Sequence, residues 1–292
     1  MTHVTPAAMA AFALELLPAV ALGFAAEHLG RMIAGWPRVV RLGFPAFFAL
    51  PYLVVSLSEH MFRWRWLALY AGLPVVSAWL LAQAAMADPE QRGNWRDALI
   101  LLVVGLAVDL RWFESAWPSG LRALNELLLV DLGLYGFLGV RRLTGTGFDF
   151  HLRWSDWKTG LRELVFFAPP VIVLGMALGF IHPHANRPAV GEAALRWVLI
   201  FFFTAVPEEL FFRAWVQNLL ERRMDRKWAL VIASVLFGLS HFNKRSTHFN
   251  WRYVLLATIA GIFYGRAWRE NRRVPASTIT HASVDWLWGL WF

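Results

Sequence analysis

Apolar runs long enough to cross a bilayer recur from residue 7 to residue 291, and no polar stretch between them is long enough for a separate soluble domain. Windows suited to a ~30 Å hydrocarbon core fall near 7–26, 42–58, 66–86, 97–110, 122–140, 164–181, 196–219, 228–243, 253–268 and 275–291. Composition agrees: 58% of the residues are hydrophobic and 16% charged, against about 25% charged in soluble domains, too little polar surface to coat a globule. The expected fold is an all-α, polytopic transmembrane helix bundle of about 8–10 spans, with the lipid bilayer itself as its first partner. The second window contains two prolines and the fourth is short and ends in Asp109, so these two are the weakest spans. The first window carries Glu15, has no basic region before it and no cleavage site after it, and reads as a retained helix instead of a signal peptide. In the stretch 154–163 Trp alternates with charge, as in a helix lying along the membrane surface. Gly145 and Gly147 mark the best boundary. The chain then divides into an N-terminal transmembrane region of unassigned role (1–150), a surface segment with a lead-in span (151–194) and a core (195–292).

The net charge of +8 is scattered over short loops and forms no patch, which indicates topology and not a nucleic-acid partner. Lys and Arg number five after the fifth window (Arg141, Arg142, Arg153, Lys158, Arg162), four after the seventh (Arg222, Arg223, Arg226, Lys227) and four after the ninth (Arg266, Arg269, Arg272, Arg273). The intervening loops hold two (Arg187, Arg196) and three (Lys244, Arg245, Arg252). Thirteen against five puts the 220–227 and 266–273 loops in the cytoplasm, and ten spans would leave both termini outside. Seventeen Trp suit the two membrane interfaces. The absence of cysteine removes thiolate nucleophiles, disulfides and cysteine metal sites from consideration.

Ionisable side chains inside apolar spans are expensive and mark functional positions by default. They gather in the last four windows. Glu208, Glu209 and Arg213 interrupt a run of aromatic and aliphatic residues; Glu209 and Arg213 are i,i+4 neighbours and pair, while Glu208 points about 100° away and needs another partner. His241 follows Phe237 by one turn, and His281 and Asp285 share a helix face. At 1.5 Å per residue, Glu208 and His241 each lie roughly 21 Å from the basic end of their helices, and His281 and Asp285 roughly 12 and 18 Å from theirs. Four groups on three helices thus fall within about two turns of one level. Glu15, Asp109, Asn125, Glu126 and Asp131 also sit in or beside spans, but no spacing joins them, and they read as helix–helix glue or interface residues. His182 and His184 read as surface residues.

No zinc-protease H-E-x-x-H, Gly-Asp pair or G-x-S-x-G serine motif is present. A carboxylate in apolar surroundings suits a general base for water, and a neighbouring imidazole orients that water or donates in turn. The same set also permits zinc bound through Glu208, His241, His281 and Asp285. The favoured expectation needs no cofactor, with zinc the alternative.

Glu208-Glu209-x-x-x-Arg213, Phe237-x-x-x-His241 and His281-x-x-x-Asp285, in that order on separate helices, resemble the three motifs of the CAAX protease and bacteriocin-processing family of intramembrane proteases. The resemblance covers about residues 195–292. It implies an intramembrane endopeptidase acting on a membrane-associated protein or peptide. Glu208 would activate water with His241, Glu209 and Arg213 would support, and His281 with the residue at 285 would stabilise the oxyanion. The family's third motif ends in Asn or Asp, and this chain has Asp. A non-proteolytic binding, immunity or scaffold protein that keeps the polar cluster is the alternative; transport is disfavoured by the lack of an inverted repeat.

Overall fold

The computed structural model describes residues 5–184, 188–246 and 248–292; Arg187 of the charge count lies outside them. Helices and short turns make up the described residues, which contain no strand. Each of the ten apolar windows lies mainly on a helix. By contact the chain forms two compact units, Met1–Thr144 and Gly145–Phe292.

The first unit contains α1 (Pro6–Gly35), α2 (Arg38–Ser58), α3 (Trp64–Ala87), α4 (Trp95–Asp109) and α5 (Ser119–Val140). Thr5 caps α1 by accepting from the Ala8 amide, Pro6 occupies the first turn where its missing N–H costs nothing, and a non-helical Ala25 bends the helix. Both prolines of the second window are tolerated because Pro45 and Pro51 open successive segments of α2, one tight and one regular. α4 begins with a reciprocal cap between Asn94 and Asp97. At its 15 residues it is about 22 Å long, short of the ~30 Å core. The second oxygen of Asp97 accepts from Arg141 Nε at 2.9 Å, and Arg141 also reaches Asp88 at 2.6 Å, so one buried arginine ties the ends of α3, α4 and α5.

The second unit contains α6 (Trp154–Ala177), α7 (Val190–Leu220), α8 (Arg226–Leu239), α9 (Trp251–Asn271) and α10 (Val274–Trp291). The 154–163 stretch is no separate surface helix; it forms the first turns of α6. Its charges are consumed internally: Asp156 accepts two bonds from Arg273, at 2.8 and 3.0 Å, and buried Glu163 lies 2.8 Å from Arg162 and 3.1 Å from Arg266. Farther along α6, Val165 and Val173 are 66% and 69% exposed, a lipid-facing stripe. Two glycines permit close helix approach. A Cβ at Gly160 would meet the Ala276 carbonyl at 2.8 Å, and one at Gly238 would collide with Thr258, so α6 meets α10 and α8 meets α9 backbone to backbone.

Among the described residues, six helices are long and apolar enough to cross a membrane: α1, α2, α3, α5, α6 and α7. α9 and α10, with 21 and 18 residues, reach about 31 and 27 Å but are more polar. The chain is an integral, multi-pass helical membrane protein. The 220–227 and 266–273 segments lie side by side, because buried Glu221 accepts from both Arg269 and Arg272 at 2.7 Å.

Candidate active site

α7 is wound unusually. Wider i→i+5 turns at Phe201–Ala205 and Leu210–Gln217 flank the short regular segment Val206–Glu209, where Pro207 supplies no amide. Such widened turns recur at functional positions because they re-aim side chains. Here they bracket Glu208 and Glu209. Glu209 is completely buried and uses both oxygens: Oε2 accepts from Arg213 Nε at 3.0 Å and Oε1 from His281 Nδ1 at 2.8 Å. The guanidinium of Arg213, equally buried, lies 5.2 Å from the Phe237 ring and 6.0 Å from that of Tyr264, while its two terminal nitrogens make no hydrogen bond. The expected Glu209–Arg213 pair is present. The third member, His281, comes from a helix 72 positions along the chain, beyond what local spacing could reveal.

Because Nδ1 of His281 donates to Glu209, Nε2 is left facing the remaining carboxylates, 3.5 Å from Asp285 Oδ2 and 3.9 Å from Glu208 Oε2. The ring is fixed by stacking on Tyr264, at 4.5 Å between centroids and 16° between planes, and by the perpendicular ring of Phe237 at 5.6 Å. Tyr264 gave no signal in the sequence: it is one aromatic among many, and only the fold sets it beneath His281.

His241 lies just beyond α8, in the turn after Leu239, and not within a span. Its place follows from helix-end chemistry. The last carbonyls of a helix lack intrahelical partners, and His241 Nδ1 satisfies that of Phe237 at 2.9 Å. A carbonyl only accepts, so Nδ1 carries the hydrogen and Nε2 presents a lone pair. The ring packs on Phe237 and Tyr253, 4.9 and 4.7 Å away.

Glu208 differs from its neighbour. Oε1 is 3.7 Å from Lys244 Nζ, an approach the sequence reading missed, and Oε2 is buried without a hydrogen-bond partner. His241 and His281 are both near enough to act on it electrostatically. Beside this cluster lies an apolar cavity of about 100 Å³, with Phe167, Tyr253 and Trp288 in its wall and His241, His281 and Asp285 at its polar end. All six candidate residues therefore meet in one place. Among the described residues, no group of three or more His, Asp or Glu side chains has the geometry of a metal site. His182 and His184 are exposed, as expected. Asn125 acts as helix glue, accepting from Tyr70 at 3.0 Å.

Outside the spans, the loop before α6 is pinned by Arg273, which donates to Asp149 at 2.8 Å and to the His151 carbonyl at 2.7 Å. Burial would raise the Asp149 carboxyl, but hydrogen bonds from Arg273 and His151, with the arginine charge, hold it down at about 2.

Residues 190–287 match a family model described as Rce1-like, type II CAAX prenyl endopeptidase Rce1-like. The resemblance read from the three motifs is borne out over that segment. No curated protein and no solved structure matches the chain.

Proposed function

We propose that the chain is an intramembrane endopeptidase that cleaves a membrane-associated protein or peptide, with Glu208 as the general base. The observation that carries this reading is the contrast between adjacent carboxylates: each oxygen of Glu209 already accepts a hydrogen bond, one from Arg213 and one from His281, while Glu208 keeps a buried oxygen with no hydrogen-bond partner. An unanswered acceptor between two imidazoles is a place for a water molecule.

Water there donates one hydrogen bond to Glu208 and the other to His241 Nε2. Glu208 takes the proton as the water oxygen attacks the scissile carbonyl carbon. The oxyanion that forms accepts from Nε2–H of His281, whose orientation Glu209 and Tyr264 fix beforehand; donors set in place in this way supply the largest share of many rate enhancements. Protonated Glu208 then gives its proton to the departing amine, which balances the reaction. Asp285 is within ion-pair reach of His281 and acts as a positioning residue for that donor. The apolar cavity receives the hydrophobic part of the substrate next to the scissile bond. No step in this sequence calls on a cofactor.

The test is cleavage of a membrane-peptide library by purified protein, wild type beside Glu208→Gln. Gln keeps the shape and cannot take the proton, so the rate should fall by about 10²–10⁴ with membrane insertion and unfolding midpoint unchanged. Equal rates would show that Glu208 is not the base.

A further inference from the structure

Within residues 1–144, α1 and α5 bury two carboxylates that no other side chain answers. Glu15 is 2% exposed and Asp131 3%. Both oxygens of Glu15 and Oδ1 of Asp131 are buried without a hydrogen-bond partner, so the expectation that these two act as helix glue does not hold. Elsewhere the chain completes its buried carboxylates with cations: Asp97 with Arg141, Asp156 with Arg273, Glu209 with Arg213. Glu15 and Asp131 instead line a cavity of about 610 Å³, a volume typical of small-molecule sites, which run roughly 300–1,000 Å³. Its other walls are apolar, including Leu17, Leu22 and Ile33 of α1, Phe47 of α2 and Leu128 of α5. On α1 its lining runs from Leu14 to Ile33, past the bend at Ala25, about 28 Å along the helix contour at 1.5 Å per residue, long enough for an extended alkyl chain.

We propose that this cavity binds a monocationic amphiphile, a primary amine on an aliphatic chain. Its ammonium donates N–H bonds to the orphan oxygens of Glu15 and Asp131, and its chain lies along the apolar groove. Two ionised carboxylates side by side would be costly in hydrocarbon, so the pair holds one proton between them; the single negative charge that remains is matched by one ammonium, whose N–H groups also supply the missing donors. A quaternary ammonium supplies charge without donors. A neutral alcohol supplies a donor without charge. A zwitterionic aminolipid brings a phosphate beside two carboxylates. A hard metal ion needs six or more oxygen ligands, and the wall offers two acidic side chains. The inference is independent of the peptidase reading, since it involves none of the residues placed in that site.

Binding of tritiated dodecylamine to the full chain in phosphatidylcholine nanodiscs, counted above empty discs, tests it. Saturable binding of one amine per chain is expected. Dodecyltrimethylammonium, dodecanol and phosphatidylethanolamine should each compete at least about tenfold more weakly, the loss of one charge-assisted hydrogen bond. Glu15→Gln with Asp131→Asn should weaken binding by at least the same factor. So should Ala21→Trp, which fills the groove from an exposed position and keeps both acids. If dodecyltrimethylammonium or dodecanol competes with dodecylamine as an equal on the wild-type chain, the proposal is overturned, and that comparison requires no variant to fold. Unchanged affinity in a monodisperse Glu15→Gln/Asp131→Asn protein would overturn it as well.

Discussion

Arg213→Met removes the charge but keeps an unbranched chain to cover Phe237 and Tyr264. It leaves Glu209, wholly buried, with His281 as its remaining partner. Breaking a buried ion pair from one side costs about 3–5 kcal/mol. The lower end applies here, because two of the guanidinium nitrogens make no hydrogen bond and their removal relieves a desolvation penalty of their own. A loss of about 3 kcal/mol is roughly a hundredfold in the unfolding constant. Adding Glu209→Gln should recover much of it: the second buried charge disappears, and the amide oxygen of Gln still accepts from His281 Nδ1. The double variant should then lie within about 1–2 kcal/mol of wild type, whereas Glu209→Gln alone strands Arg213 and also costs about 3 kcal/mol, so the double loss should fall short of the sum of the singles by about 4–5 kcal/mol. Equilibrium unfolding in mixed micelles of rising SDS fraction, followed by tryptophan fluorescence, measures all four corners of the cycle. Additive losses would mean that Glu209 and Arg213 do not act as a pair, and the account of how His281 is held would fall with them.

Asp285→Asn should keep at least about a tenth of the wild-type rate and chelators should leave the wild type unaffected, whereas a metal-ligating carboxylate replaced by an amide would lose activity steeply; zinc-dependent recovery after chelation would establish the metal mechanism instead. For topology, Met224→Cys and Asn271→Cys in the otherwise cysteine-free chain should react only with reagent that reaches the cytoplasm; position 271 is preferred to 270 because Glu270 pairs with Arg162, and labelling of both from outside intact cells would reverse the orientation. Asp149 has its carboxyl at about 2 in the folded chain, below the ~3.9 of an unfolded aspartate, so its stabilisation is complete above about pH 5 and is lost as the pH falls through 4 toward 2. Asp149→Asn should flatten that acid limb in a pH series of unfolding midpoints, and an unaltered limb would contradict the Arg273 clamp.

What the sequence could convey about the site followed from the period of the helix. The Glu209–Arg213 pair and the shared face of His281 and Asp285 are i,i+4 relations, and they appear in the structure as such. Depth along each helix, counted from the basic ends, brought the right groups to one level, since rise per residue is nearly constant. Relations between helices were out of reach by the same reasoning. Nothing local tells which carboxylate faces His281, and the bond falls on Glu209, the one already paired with Arg213, leaving Glu208 to Lys244. His241 fell outside its helix because hydropathy continues past the point where Ser240 ends the helical hydrogen bonding. The short α4 and α8 likewise show that an apolar window measures composition, while the number of residues in helical geometry sets the length that can span.

Glu208 and Glu209 are chemically identical neighbours, yet the fold gives them opposite surroundings, and the difference between them lies in what is left over after pairing. Each oxygen of Glu209 already accepts a bond from Arg213 or His281, so a water there would compete with partners whose loss strands a charge in a dry interior. Glu208, with one oxygen that makes no hydrogen bond, can take on a new donor without losing an old one. The same distinction sorts the buried acids of the first unit, where Asp97 is completed by Arg141 while Glu15 and Asp131 are left open toward a groove. In a bilayer this criterion is sharper than in water, because no solvent is at hand to satisfy a neglected group, and an acid kept incomplete there is held in readiness for something that arrives.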